Sequence, residues 1–291
     1  MHGNHIEPAT LLTPKLTFSY TDDIFINYDK IGTGKKCIIC LHGFGLSLFS
    51  WIEVNQYLNH DDYSVYLIDL KGFGFSYRGD IGIYSIGEQS EIVQKFIKIN
   101  GLANIVLIGH SYGGVVSLYL LYKCWKDNVE LGIKKLILLD TPAFPDSKPL
   151  FLTALRNPIL NFLGFRLASA YTNAYFTIKK TFYDFQLGID KYLPIYKFFF
   201  SQPEAKRAMT LAAKNIYPED MHEVIEFYNK IDIPTLIIWG IDDKLIPLDF
   251  GVKLEALLKK GQLVVIANCG HVPNEECPDI TAKYINDFLK K

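Results

Sequence analysis

The hexapeptide GHSYGG, Gly109–Gly114, sets one serine among small and polar residues, between the apolar runs NIVLI and VVSLYLLY. A serine at a strand-to-helix junction usually caps the helix. The small-x-Ser-x-small pattern points further. A sharp turn there strains the Ser111 backbone and brings strand and helix so close that side chains at 109 and 113 would collide. It presents the hydroxyl at the C-terminal end of a parallel sheet, in front of the N–H groups and positive dipole end of the next helix. A serine hydroxyl is a weak nucleophile at neutral pH. It needs a base, and the base needs an acid to orient it.

Two later segments supply both. WGIDDKLIP and NCGHVPNEECP each follow an apolar strand-like run, which puts Asp243 and His271 at the sheet edge that carries Ser111. The order Ser, acid, His suits this kind of sheet. The expected roles are Ser111 as nucleophile, His271 as base and then acid, and Asp243 as the group that holds the imidazole tautomer. Asp242 reads as a turn residue or cap. Asp140, at the end of LILLD, is a rival acid; Asp243 is preferred because its loop is the commoner place for one. Alternation along the turn aims His110 away from Ser111, as a packing residue. LHGFG, Leu41–Gly45, is by itself a Gly-rich turn. Beside Ser111, its glycines let the backbone N–H of Phe44, together with that of Tyr112, serve as an oxyanion hole. DLKGFGFS, Asp69–Ser76, carries G-x-G without the third glycine of a dinucleotide site and reads as a structural loop, so no cofactor is expected.

Eight strand-like runs must carry these residues to one edge. KLTFSYT and IFINYDKIG read as two antiparallel edge strands joined by a turn at Asp22–Asp23. CIICLHG, SVYLIDL, NIVLIGH and IKKLILLD are almost continuously hydrophobic, as strands buried on both faces of a parallel sheet are. Helices fall between them. One opens at the capping box SIGE, Ser85–Glu88, and ends at Gly101; another follows Ser111. From 143 to 228 only helical patterns occur, including a second capping box SQPE, Ser201–Glu204, and a helix opened by Pro218. Alternation then resumes with PTLIIWG, a helix over FGVKLEALLKK, QLVVIANCG and a last helix over Pro278–Lys290. The expected fold is α/β: a mostly parallel eight-stranded sheet with helices on both faces. Its core, 1–142 and 229–291, is interrupted by a helical cap, 143–228, too long to be a plain loop.

Composition bounds the partners. The chain has 291 residues, with 30 Lys plus Arg against 31 Asp plus Glu, so no basic surplus points to nucleic acid or an anionic membrane. A small molecule is the expected partner, and the oligomeric state is left open. The five cysteines are too few and scattered for a disulfide scaffold. Cys37 and Cys40 lie three apart within a strand, facing opposite sides, and read as core rather than as metal ligands. The opening MHGNHIEPATLLTPK lacks the charged and apolar regions of a signal peptide. No apolar run reaches the ~18 residues that span a bilayer. A cytoplasmic location is expected.

LHGFG, DLKGFGFS, GHSYGG, WGIDDKLIP and NCGHVPNEECP, in that order, resemble the α/β-hydrolase superfamily, and most of all its capped branch of esterases, carbon–carbon bond hydrolases, haloperoxidase-like enzymes, epoxide hydrolases and haloalkane dehalogenases. The resemblance covers Lys15 to Lys290 apart from the cap. Dehalogenase and epoxide hydrolase members use an aspartate nucleophile, so Ser111 argues against those activities. An acyl-enzyme route with water as second substrate remains. It implies hydrolysis of a carboxylic ester or lactone of a fairly bulky hydrophobic molecule. The alternatives are a carbon–carbon hydrolase of ring-cleavage diketones and a small-molecule receptor that keeps the triad. The carbon–carbon reading calls for a cap arginine to clamp a carboxylate, with Arg156, Arg166 and Arg207 as candidates.

Within the expected cap, 14 of the 50 residues from Phe151 to Phe200 are Phe or Tyr. They can build the core of a small helical lid or line a spacious apolar pocket. The scarcity of basic residues among them argues against a membrane-docking lid.

Overall fold

The computed structural model describes residues 12–147 and 149–291. Most of the opening segment, which reads as no signal peptide, therefore lies outside the described residues. Eight strands form one sheet: β1 (Leu16–Ser19), β2 (Phe25–Ile31), β3 (Lys36–Leu41), β4 (Tyr63–Ile68), β5 (Ile105–His110), β6 (Ile133–Leu139), β7 (Thr235–Gly240) and β8 (Gly261–Ile266). Their spatial order is β1-β2-β4-β3-β5-β6-β7-β8. β1, β2 and β4 pair antiparallel, and every other neighbouring pair is parallel. Every residue of β4, β5 and β7 is buried, which is why these strands read as unbroken apolar runs.

One expectation at this end of the sheet changes. Only β1 lies at the edge here, because the second half of β2 pairs with β4 through Tyr28–Ile68 to Ile31–Val65. Asn27 shows why β2 has to be interior: its amide donates to buried Asp69 at 2.7 Å, which draws β2 onto the loop after β4.

Helices α1 (Ile86–Ile99) and α2 (Tyr112–Lys126) precede β6. At the start of α1 the Ser85 hydroxyl accepts the Glu88 N–H at 3.1 Å. The Glu88 carboxylate accepts the N–H of Tyr84 rather than that of Ser85, and also takes the amine of fully buried Lys71 at 2.6 Å. Between β6 and β7 the described residues hold helices and turns but no strand. The longer helices are α3 (Leu150–Arg156), α4 (Ala170–Thr181), α5 (Leu193–Ser201), α6 (Ala205–Lys214) and α7 (Met221–Tyr228). The expected capping box at Ser201–Glu204 does not form. Gln202 must be extended ahead of Pro203, so Ser201 stays in the last turn of α5 and donates to the Phe198 carbonyl at 2.7 Å. Glu204, at φ +59°, then starts α6 without a side-chain cap. Helix α7 opens one turn after Pro218, whose carbonyl accepts the Met221 N–H. The chain ends in α8 (Asp249–Leu257), a short α9 (Pro273–Glu276) and α10 (Pro278–Leu289).

Register decides where chemistry can sit. Leu41 aligns with Gly109, His110 with Leu139, Leu139 with Ile238, and Gly240 with Ile266. Five parallel strands therefore end in one row, and the loops after β3, β5, β6, β7 and β8 share one rim. Buried side chains of the sheet and of the helical insertion form one continuous core.

Candidate active site

Ser111 stands between β5 and α2 with φ 49° and ψ −113°, outside the regions L residues prefer. Its neighbours explain how the turn is tolerated. A Cβ on Gly109 would lie 2.5 Å from the Gly113 carbonyl oxygen, and one on Gly113 would lie 2.2 Å from that of Leu41. Both obstacles are backbone, which cannot swing aside. The Ser111 side chain makes no capping bond to α2, so capping is not what the serine does there.

Its Oγ lies 2.9 Å from His271 Nε2, and His271 Nδ1 lies 2.6 Å from Asp243 Oδ2. A carboxylate can only accept, so Nδ1 carries the proton and Nε2 is free to accept from the serine hydroxyl. The other Asp243 oxygen accepts the N–H groups of Leu245 at 2.7 Å and Ile246 at 3.0 Å, which locks the carboxylate in the loop after β7. All three side chains are buried, and the chain of contacts reads Ser111–His271–Asp243.

Asp140 ends β6 close by, with one carboxyl oxygen accepting the Gly240 N–H at 3.0 Å. Its ligand atom, Asp243's and His271's lie within 4.8 Å of one another. Burial and the charge of Asp243 hold the Asp140 carboxyl well above the usual carboxylate range. The imidazole contact belongs to Asp243.

The N–H groups of Phe44 and Tyr112 flank the same space and make no hydrogen bond among the described residues. His42 shapes the loop that carries Phe44: its Nδ1 donates to the Gly43 carbonyl, and its Nε2 accepts the Leu70 N–H at 3.0 Å. Burial lowers the His42 pKa to about 4, so the ring stays neutral in this role. His110 is buried, also stands among the residues that line the cavity with Ser111, and donates from Nε2 to the His271 carbonyl at 2.7 Å. DLKGFGFS is built around Asp69, which accepts the N–H groups of Leu48 and Phe75. Burial, outweighing these bonds, raises its pKa to about 6. The thiols of Cys37 and Cys40 are buried and free in β3.

Two glutamates in NCGHVPNEECP carry structure that the spacing did not reveal. Glu276 accepts the N–H of Gly270 at 2.7 Å and of Asp184 at 2.6 Å, tying the His271 loop to the end of α4. Thr181, the last residue of α4, accepts the His271 N–H. Glu275 is buried, accepts the hydroxyls of Ser50 and Tyr196, and lends its carbonyl to Tyr192. Burial pushes its carboxyl up to about 7. Their place right after His271 was the available signal.

A cavity of about 370 Å³ opens over Ser111. Its floor is Gly43, Tyr112 and His271, and the helical insertion supplies mostly apolar walls, among them Leu155, Phe165, Phe200 and Met209. None of Arg156, Arg166 and Arg207 lines it; Lys180 does. Arg207 is engaged with Asp80 and Glu204.

This geometry can carry acyl transfer: a hydroxyl aligned on an imidazole, an anchored acid, two free N–H groups and an apolar chamber. A hydrolase of Bacillus subtilis described as uncharacterized, YugF, is 27% identical over 257 residues, 88% of this chain and 91% of its own. Lipase 3 of Moraxella sp. is 28% identical over 293 residues, 97% of this chain and 87% of its own. The solved structure of a 2-hydroxy-6-oxo-6-phenylhexa-2,4-dienoate hydrolase from Rhodococcus sp. strain RHA1 superposes with a TM-score of 0.79 at 21% identity. It covers 94% of this chain and 98% of that one, a likeness of fold. A family model described as the alpha/beta hydrolase fold matches residues 36–278, so this chain is a hydrolase of the alpha/beta hydrolase fold family.

Proposed function

We propose that the protein hydrolyses a carboxylic ester or lactone of a fairly bulky hydrophobic molecule through an acyl-enzyme, with residues 143–228 acting as a cap over the reacting centre. The observation that carries this reading is the unbroken contact from Ser111 Oγ through His271 to Asp243, at 2.9 and 2.6 Å, at the base of an apolar cavity. Ser111 Oγ attacks the ester carbonyl as His271 Nε2 takes its proton. The tetrahedral oxyanion is held by the N–H groups of Phe44 and Tyr112, assisted by the N-terminus of α2. Each such donor stabilises the transition state by about 3–4 kcal/mol. The alkoxide leaves with the proton from His271. Water then enters and its oxygen bonds to the acyl carbonyl carbon as it gives a proton to the same nitrogen; the tetrahedral adduct breaks its bond to Ser111 Oγ, which takes that proton back, and the acid is released. Asp243 keeps the proton of the resting imidazole on Nδ1 throughout.

The ester reading is preferred over a carbon–carbon hydrolase because none of Arg156, Arg166 and Arg207 lines the cavity to give a carboxylate a bidentate clamp; Lys180, which does line it, offers a single ammonium rather than a fork. A receptor that keeps the triad would share this contact, and turnover separates the two readings. The test is a fluorophosphonate probe followed by intact-mass and peptide mapping, with a panel of chromogenic esters. One label on Ser111, and ester turnover abolished by Ser111→Ala, are expected. Labelling at another residue, or no turnover of any ester, overturns the proposal.

A further inference from the structure

The stretch between α3 and α4 is built inside out. After Asn157 come a short helical turn, Pro158–Leu160, and a π-helical turn, Asn161–Arg166. A helical segment on a soluble surface buries its apolar side and exposes its polar one. Here the buried residue is Asn161, whose amide donates to the Leu155 carbonyl and to Thr210 Oγ1. Facing outward are Ile159 (69% exposed), Phe162 (53%), Leu163 (62%) and Leu167 (63%). Tyr171 and Phe176 continue the exposed apolar surface onto α4. Leu160 and Phe176 are exposed and also line the cavity over Ser111, so this surface forms its rim. Scattered exposed apolar residues are ordinary, whereas a contiguous apolar surface around a site marks something that binds there.

Charge identifies the occupant. From residue 149 to 183 the sequence has four cations, Arg156, Arg166, Lys179 and Lys180, and no Asp or Glu. All four are exposed, and none forms an ion pair among the described residues. The near-neutral balance of the whole chain hides this local excess, and over residues 149–183 the scarcity of bases is outweighed by the lack of any Asp or Glu. Lys206 fixes the segment from behind by donating to the carbonyls of Arg166 and Ala168. We infer that this face of the insertion docks on an anionic lipid surface, with the apolar side chains entering the headgroup region and the cations meeting the lipid phosphates. A second copy of the chain is the less favourable occupant, since a two-fold contact through this face would bring two sets of four cations into one interface with no carboxylate from this stretch to pair them. Docking of this kind holds the cavity mouth against the bilayer, where hydrophobic esters partition. The inference itself does not depend on hydrolysis.

The experiment uses the full chain carrying Ser111→Ala, so that no lipid is consumed. It is sedimented with phosphatidylcholine vesicles and with vesicles of equal parts phosphatidylcholine and phosphatidylglycerol. Binding to the anionic vesicles alone, weakened by salt, is expected. Ile159→Ser with Leu163→Ser should lower the partition coefficient about tenfold or more. Arg166→Glu with Lys179→Glu should lower it at least as much, at about fivefold or more per charge. Both pairs, placed in the chain with Ser111 intact, should leave thermal unfolding and hydrolysis of a short soluble ester unchanged. No binding to anionic vesicles, or binding indifferent to all four substitutions, overturns the inference. So does a dimer in analytical ultracentrifugation that Ile159→Ser with Leu163→Ser dissociates, since the surface would then belong to a second copy.

Discussion

Two carboxyl groups lie beside one imidazole, and replacing each by its amide separates their roles. In Asp243→Asn the amide fits the same space, but the group facing His271 Nδ1 can now donate. The imidazole then settles with its proton on Nε2, where it cannot accept from Ser111 Oγ. The substitution removes the 2.6 Å bond that fixes the tautomer, and the expected fall in kcat is about 10⁴-fold, roughly 5.5 kcal/mol. Asp140→Asn removes a carboxyl that does not touch the imidazole and keeps an oxygen for the Gly240 N–H, so kcat/KM should change less than about fivefold. Linkage gives a second reading. The folded-state pKa of Asp140 is raised, so between the unfolded value of about 4 and its folded value the native state binds more protons, and stability falls as pH rises through that window. Asp140→Asn should therefore flatten the dependence of Tm on pH above about 4. The assays are steady-state kinetics on a soluble chromogenic ester and thermal melts across pH. Equal losses of kcat in the two variants would refute the assignment of the acid to Asp243 alone. Full activity in Asp243→Asn would refute the triad.

Gly113→Ala should cost about 3 kcal/mol or more, because its Cβ would meet the Leu41 carbonyl at 2.2 Å; denaturant midpoints measure it. Glu275→Gln tests the buried carboxyl that ties the insertion to the sheet edge. With its pKa raised to about 7 by burial, wild-type stability should fall from about pH 4.5 to 7, and the variant should lose that slope in Tm. Lys191, which favours the charged form, and Glu276, which opposes it, are kept in both proteins. Ile216→Trp narrows the cavity, and kcat/KM for long acyl chains should fall about tenfold or more while short chains are spared, read from a chain-length series. Ser85→Ala removes the cap of α1 and should cost about 1 kcal/mol in chemical unfolding.

The sequence by itself determined the sheet and the loops that matter. Strands buried on both faces leave unbroken apolar runs, and Gly109 and Gly113 of GHSYGG stand where a Cβ would strike backbone, so both constraints are local and readable. They were enough to name Ser111, Asp243 and His271 and to expect them at one rim. Asp243 was preferred over Asp140 from the sequence only because its loop is the commoner place; which of the two carboxylates meets His271 Nδ1 depends on side-chain direction, which tertiary structure sets. The same holds for the wiring of Glu275 and Glu276, whose partners lie as far away as Ser50, Asp184 and Tyr196. Local patterning misled where long-range contacts won. SQPE has the residues of a capping box, yet Pro203 forces Gln202 extended and leaves Ser201 in the preceding helix. Hydrophobic periodicity in PILNFLGFRL could not tell which side faces in; that was fixed by Asn161 finding Leu155 and Thr210 inside the insertion. Period and spacing are properties of the chain, whereas the facing of a side chain depends on what the rest of the fold brings to it.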